Sequence, residues 1–171
     1  MNRHLSSAIK TVLSRSGFYG WRFKTVEFPG LAVLCYHGLL DARRGLPFEQ
    51  LHVSSSTLDA HCRVIRTLWT PVSLDDVCAA WCGGRPLPPR SVLVTFDDGY
   101  RSVLRLARPI LERYRIPAVV FVCSGPIEQR TLLWYDAVAR LHGEAVVEQL
   151  KGVSYAEWVD VLERFRVRVS A

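Results

Sequence analysis

Two adjacent carboxylates, Asp97 and Asp98, follow directly on the apolar run Ser91 to Phe96 and precede Gly99. Successive residues leaving a strand point in different directions. One carboxylate can therefore bind a metal ion while its neighbour takes a proton from an attacking water, the chemistry of metal-assisted hydrolysis. Gly99 lets the backbone turn tightly away from the strand. The competing reading of a bare D-D-G is a turn in which an Asp caps the helix that follows. Context favours chemistry: unpaired acids beside a buried strand are costly to desolvate, and the carboxyl ends of parallel strands are where α/β proteins place their sites. The cysteines offer no second centre. Cys78 and Cys82 form C-A-A-W-C with no further Cys or His pair at finger spacing, so a structural zinc is not expected. The five cysteines are odd in number, scattered and mostly set in apolar runs, as buried reduced thiols would be.

Elements that could position the two acids surround them. Leu31 to Tyr36 is a continuous apolar run, expected as a strand buried on both faces, and Pro117 to Cys123 reads likewise. Ser54 or Ser55 is placed to cap a helix running to about Leu68, with Leu58, Cys62, Ile65 and Leu68 on one face. Val72 lies in a short extended piece over 71–73. Ser73 with Asp76 makes a capping box for a helix to Trp81, which Gly83, Gly84 and the prolines at 86, 88 and 89 close. Val103 to Tyr114 is predicted helical. The tail reads as helices over 132–141 and about 144–150, then one opened by a Ser154–Glu157 box toward Phe165. Strand, helix, strand around the acids predicts an α/β fold with a parallel sheet or barrel.

Composition narrows the class. In 171 residues, 49% hydrophobic and 22% charged, there is room for one domain with a real core and no apolar run long enough to cross a bilayer. The net charge of +6 is uneven: residues 1–26 carry Arg3, Lys10, Arg15, Arg22 and Lys24 without an acid, leaving +1 for the remainder. A nucleic-acid binder would carry its basic stripe on the folded domain, so that class is excluded. Leu5, Ala8, Ile9, Val12 and Leu13 fall at helical spacing among the cations, predicting a basic amphipathic helix. It is expected to touch a membrane surface, to serve as a transit-type address or to pack on the domain. No secretory signal is read here, which favours a cytoplasmic or membrane-peripheral location.

The stretch from Leu87 to Gly125, LPPRSVLVTFDDGYRSVLRLARPILERYRIPAVVFVCSG, resembles the first motif region of the polysaccharide deacetylases, the NodB-homology or carbohydrate esterase family 4 domain. T-F-D-D-G at Thr95 to Gly99 is the motif. LAVLCYHGL at 31–39 is similar to the opening strand of exopolysaccharide-associated members, and Val53 to Val77 to their next helix and P-V-S-L-D-D-V turn. The resemblance covers residues 30 to about 142. It implies an irregular (β/α) barrel and metal-dependent removal of N-acetyl groups from an amino-sugar polymer. Asp97 would be the general base, Asp98 a ligand of a divalent metal, usually zinc, and His37 a further catalytic residue on the same rim or a hydrogen-bonded structural histidine.

The family completes its metal site with two histidines in H-[ST]-x-x-H-P, and His4, His37, His52, His61 and His142 include no such pair. Later motifs also lack a counterpart. The expectation is therefore an incomplete barrel: residues 29–171 as a partial deacetylase domain behind a basic extension at 1–28. Four candidate strands cannot close a barrel, so self-association through an open sheet edge is expected. Three readings follow: a truncated deacetylase, a non-catalytic relative that binds glycan or a partner protein through Tyr100 and neighbouring loops, and a peripheral membrane protein contacting lipid through residues 1–26.

Overall fold

A computed structural model describes residues 28–164 apart from positions 29, 43, 44 and 46. The predicted basic helix and the far end of the tail lie outside the described residues. Four parallel strands form one sheet: β1 (Leu31–Tyr36), β2 (Thr70–Pro71), β3 (Ser91–Phe96) and β4 (Ala118–Val120). β3 is the centre and is buried at every residue. β1 pairs with it throughout, from Leu31 opposite Ser91 to Tyr36 opposite Phe96. The other edge of β3 is shared, β2 pairing with its start and β4 with its end.

The helices follow their signals closely. α1 (Ser55–Leu68) starts where the Ser54 hydroxyl accepts the Thr57 N–H at 3.1 Å, and buries Leu58, Cys62 and Ile65. α2 (Leu74–Trp81) carries the predicted box between Ser73 and Asp76. Pro109 has no N–H to give to the preceding turn, and the chain widens into a π turn at Val103–Ala107 before α3 (Arg108–Tyr114). Leu58, Cys62, Val92, Val94, Phe96 and Ile110 meet in one core, with Tyr36 stacked on Phe96 at 5.3 Å.

A second, smaller core lies beyond the sheet. α4 (Ser124–Gln129) is followed by α5 (Trp134–His142), α6 (Glu144–Leu150) and α7 (Tyr155–Arg164). Phe48 from the first loop packs with Val138, Ala139, Val147 and Leu150. Glu144 ties the two parts together, accepting the Phe48 N–H at 2.7 Å and the Gln50 amide at 3.2 Å. The predicted box at Ser154 and Glu157 also forms.

Three expectations are corrected. β1 is not buried on both faces: Val33 is 55% exposed and Cys35, two residues on and so on the same face, is also exposed, because that face is left open to solvent. The run 117–123 pairs only over Ala118–Val120, after which Phe121 and Val122 are exposed and α4 begins. The thiols are free, yet only Cys62 is buried; Cys35, Cys78 and Cys82 are exposed and Cys123 is intermediate.

Candidate active site

Side chains of paired parallel strands share a face at every second residue. Cys35 lies opposite Thr95, so the positions two residues on, His37 and Asp97, leave the two strands side by side. The Asp97 N–H extends the ladder by donating to the Tyr36 carbonyl at 2.8 Å. The Cys35 thiol donates to Asp97 Oδ2 at 3.2 Å. Burial and then this bond push the thiol's pKa up, so it remains an S–H donor.

Asp98 and Gly99 both take left-handed backbone, at φ 69° and φ 73°. Asp tolerates that region and Gly occupies it freely, so the chain reverses direction within two residues. A Cβ on Gly99 would also lie 3.0 Å from Val122 Cγ1. The turn delivers Asp98 Oδ2 to the Tyr135 hydroxyl, which donates at 2.6 Å, and to 3.9 Å from His37 Nε2. His37 itself is held by its loop. Gly38 accepts the Val53 N–H at 3.2 Å, the Leu39 N–H donates to Ser102 Oγ at 2.9 Å, and a Cβ on Gly38 would stand 2.7 Å from His52 Nδ1.

Tyr100 points inward. Its hydroxyl donates to Asp136 Oδ2 and also contacts the Tyr135 hydroxyl, each at 3.2 Å, and the His52 ring meets its ring edge-on at 4.9 Å. Burial raises the pKa of both phenols, reinforced at Tyr135 by the bond to Asp98, so Tyr135 stays a protonated donor. Burial raises Asp136 as well, against the opposing pull of the Tyr100 bond. Beside this network opens a cleft of about 200 Å³, with His37, Asp98 and Tyr135 on its polar side and Phe48, Leu51 and Val147 on its apolar side.

The structure thus gathers Asp97, Asp98 and His37 at one rim and sets Tyr100 behind them. Asp98 and the nearby His37 both line the cleft. Among the described residues no three His, Cys, Asp or Glu side chains gather where they could hold an ion. Zinc sites take three protein ligands, so these residues do not hold one by themselves. Cys35, Tyr135 and Asp136 went unread in the sequence. Cys35 was legible in principle, since it sits two residues before His37 on a paired strand. Tyr135 and Asp136 lie in an ordinary helical pattern, with no local sign of the contact they make.

Residues 84–165 match the family model described as polysaccharide deacetylase. A poly-beta-1,6-N-acetyl-D-glucosamine N-deacetylase of Escherichia coli K12 is 30% identical over 141 residues, covering 82% of this chain and 20% of that protein. One of the same name from Staphylococcus aureus is 34% identical over 53 residues, 31% of this chain and 18% of that protein. The chain therefore spans about a fifth of the length of the curated relatives it matches. Among solved structures, a de-N-acetylase from Aggregatibacter actinomycetemcomitans superimposes with a TM-score of 0.54 at 28% identity, over 61% of this chain and 42% of that one. A Streptococcus pyogenes deacetylase in complex with acetate shares the fold, with a TM-score of 0.50 at 24% identity, over 60% of this chain and 45% of that one. The T-F-D-D-G turn, the parallel strands that present it and the relatives agree: over residues 84–165 this chain matches the polysaccharide deacetylase family.

Proposed function

We propose that the chain serves as part of a hydrolase that removes N-acetyl groups from an amino-sugar polymer, with a poly-N-acetylglucosamine as the substrate class. The observation that carries this reading is the split of the two adjacent acids, Asp97 held against β1 and Asp98 turned to face His37 across the cleft. In this mechanism Asp97 takes the proton of the water that attacks the acetamide carbonyl. His37 gives a proton to the departing amine. Asp98, with Tyr135 bonded to it, lines the cleft beside His37. Family members are in general metal-dependent, and a divalent ion, zinc by expectation, would polarise the carbonyl with Asp98 among its ligands; the further donors are not among the described residues.

The same reading makes residues 29–171 part of an irregular (β/α) barrel of the NodB type and residues 1–28 a basic extension available for membrane contact. Exposed Val33, Phe121 and Val122 support self-association through the open sheet edge. No described helix is long and apolar enough to cross a membrane.

Acetate release from N-acetylglucosamine oligomers with added zinc tests the proposal. Asp97→Asn is expected to lower the rate by about 10²–10⁴-fold, the contribution of a positioned general base. An unchanged rate would contradict it. Among the described residues the donor set is incomplete, and this favours one second reading, glycan binding without turnover. Oligomer binding seen by calorimetry without acetate release would select that reading.

A further inference from the structure

We infer that Cys35 is a positioning residue for Asp97, its thiol fixing one carboxylate oxygen so that the other is presented to the attacking water. The inference rests on the reading of Asp97 as the general base. Three observations carry it. The β1–β3 register puts Cys35 opposite Thr95, two residues before Asp97, so the contact is built into strand pairing rather than into a loop. Sγ lies 3.2 Å from Asp97 Oδ2, within reach of an S–H donor. The Asp97 backbone is itself fixed by its bond to the Tyr36 carbonyl at 2.8 Å, so the side chain is the part left to orient.

A thiol is a weak donor, yet a carboxylate acceptor strengthens any bond it receives. Oδ2 is occupied by the thiol, which leaves Oδ1 to accept the proton. The hydrogen stays on sulfur and no covalent step involves Cys35. A serine would preserve the donor, whereas an alanine would release the carboxylate to rotate.

The S–H stretching band of Cys35 reads the contact directly, isolated by subtracting the infrared spectrum of Cys35→Ala from that of the unaltered chain. Asp97→Asn is expected to move that band to higher wavenumber, because a neutral amide oxygen accepts more weakly than a carboxylate. A band that stays in place overturns the proposal. In acetate release, Cys35→Ala is expected to lower kcat about tenfold with KM unchanged, the size of a lost hydrogen bond to a charged group, and Cys35→Ser to restore most of it. Equal kcat in Cys35→Ala and the unaltered chain also overturns it. A shifted band with no acetate release from the unaltered chain establishes the Cys35–Asp97 contact and overturns the base reading beneath it.

Discussion

On the strand side of the site, Asp97 is held by main-chain pairing to β1 and by a thiol on that same strand. On the helix side, Asp98 is held by one phenol that lies 37 residues further along the chain. The first arrangement follows from register: once Leu31 pairs with Ser91, the placement of Cys35, His37 and Asp97 is settled. The second depends on how α5 and α6 dock, and that docking rests on the bonds donated to Glu144, the Phe48–Tyr135 ring contact and the small core around Val147. Neighbouring acids are thus tied to two different parts of the fold. The rim is expected to be the rigid part and the α5–α6 cap the part that opens first.

The largest effect should come from the element both regions share. Phe96 is fully buried in β3 and stacks on Tyr36. Phe96→Ala is expected to cost about 3–5 kcal/mol in chemical denaturation, unfolding rim and cap together. Loss of the cap signal alone would break the comparison. Tyr135→Phe is a smaller change, expected to cost about 1–2 kcal/mol by leaving Asp98 without its donor. It sharpens the contrast: hydrogen exchange should quicken over residues 134–150 and stay unchanged in β1 and β3.

The last effect is set by pH and belongs to the core that α1 shares with β1 and β3. Burial raises the Cys62 thiol from its ordinary 9.0 to about 11 and the Tyr36 phenol from 10.0 to about 12. The unfolded chain releases these protons first. The stability they contribute is therefore full below pH 9.0 and is lost as pH rises through about 11 and 12. Melting temperature should fall between about pH 9 and pH 12, and Cys62→Ala should flatten that fall. An identical slope in the variant would remove Cys62 from the account.

The same contrast explains what was legible in the sequence. β3, β1, the helix caps at Ser54, Ser73 and Ser154, and the D-D-G turn all rest on local signals: apolar runs, a hydroxyl three residues from its partner, a glycine at positive φ. Each was readable. The exposure of Val33 and Cys35 was not, since an apolar run carries no mark of which face is left open to solvent. The short β4 and the appearance of α4 depend on where pairing to β3 stops, a tertiary matter. Tyr135 and Asp136 form part of the candidate site through a contact across 37 residues and through a bond from Tyr100, and the spacing of a helical segment encodes neither. Asp97 and Asp98 stand out in the sequence because a strand ends on them, and His37 through the family resemblance; the residues that hold Asp98 carry no such mark.

The most direct test compares Asp97→Asn with Asp98→Asn by hydrogen exchange on the whole chain. Asn suits the left-handed backbone at position 98, so each change removes a charge without forcing a new turn. The account predicts that Asp98→Asn speeds exchange across α5 and α6, through its weakened bond to Tyr135, while Asp97→Asn leaves those helices as they were. Equal protection of α5 and α6 in the two variants would contradict it.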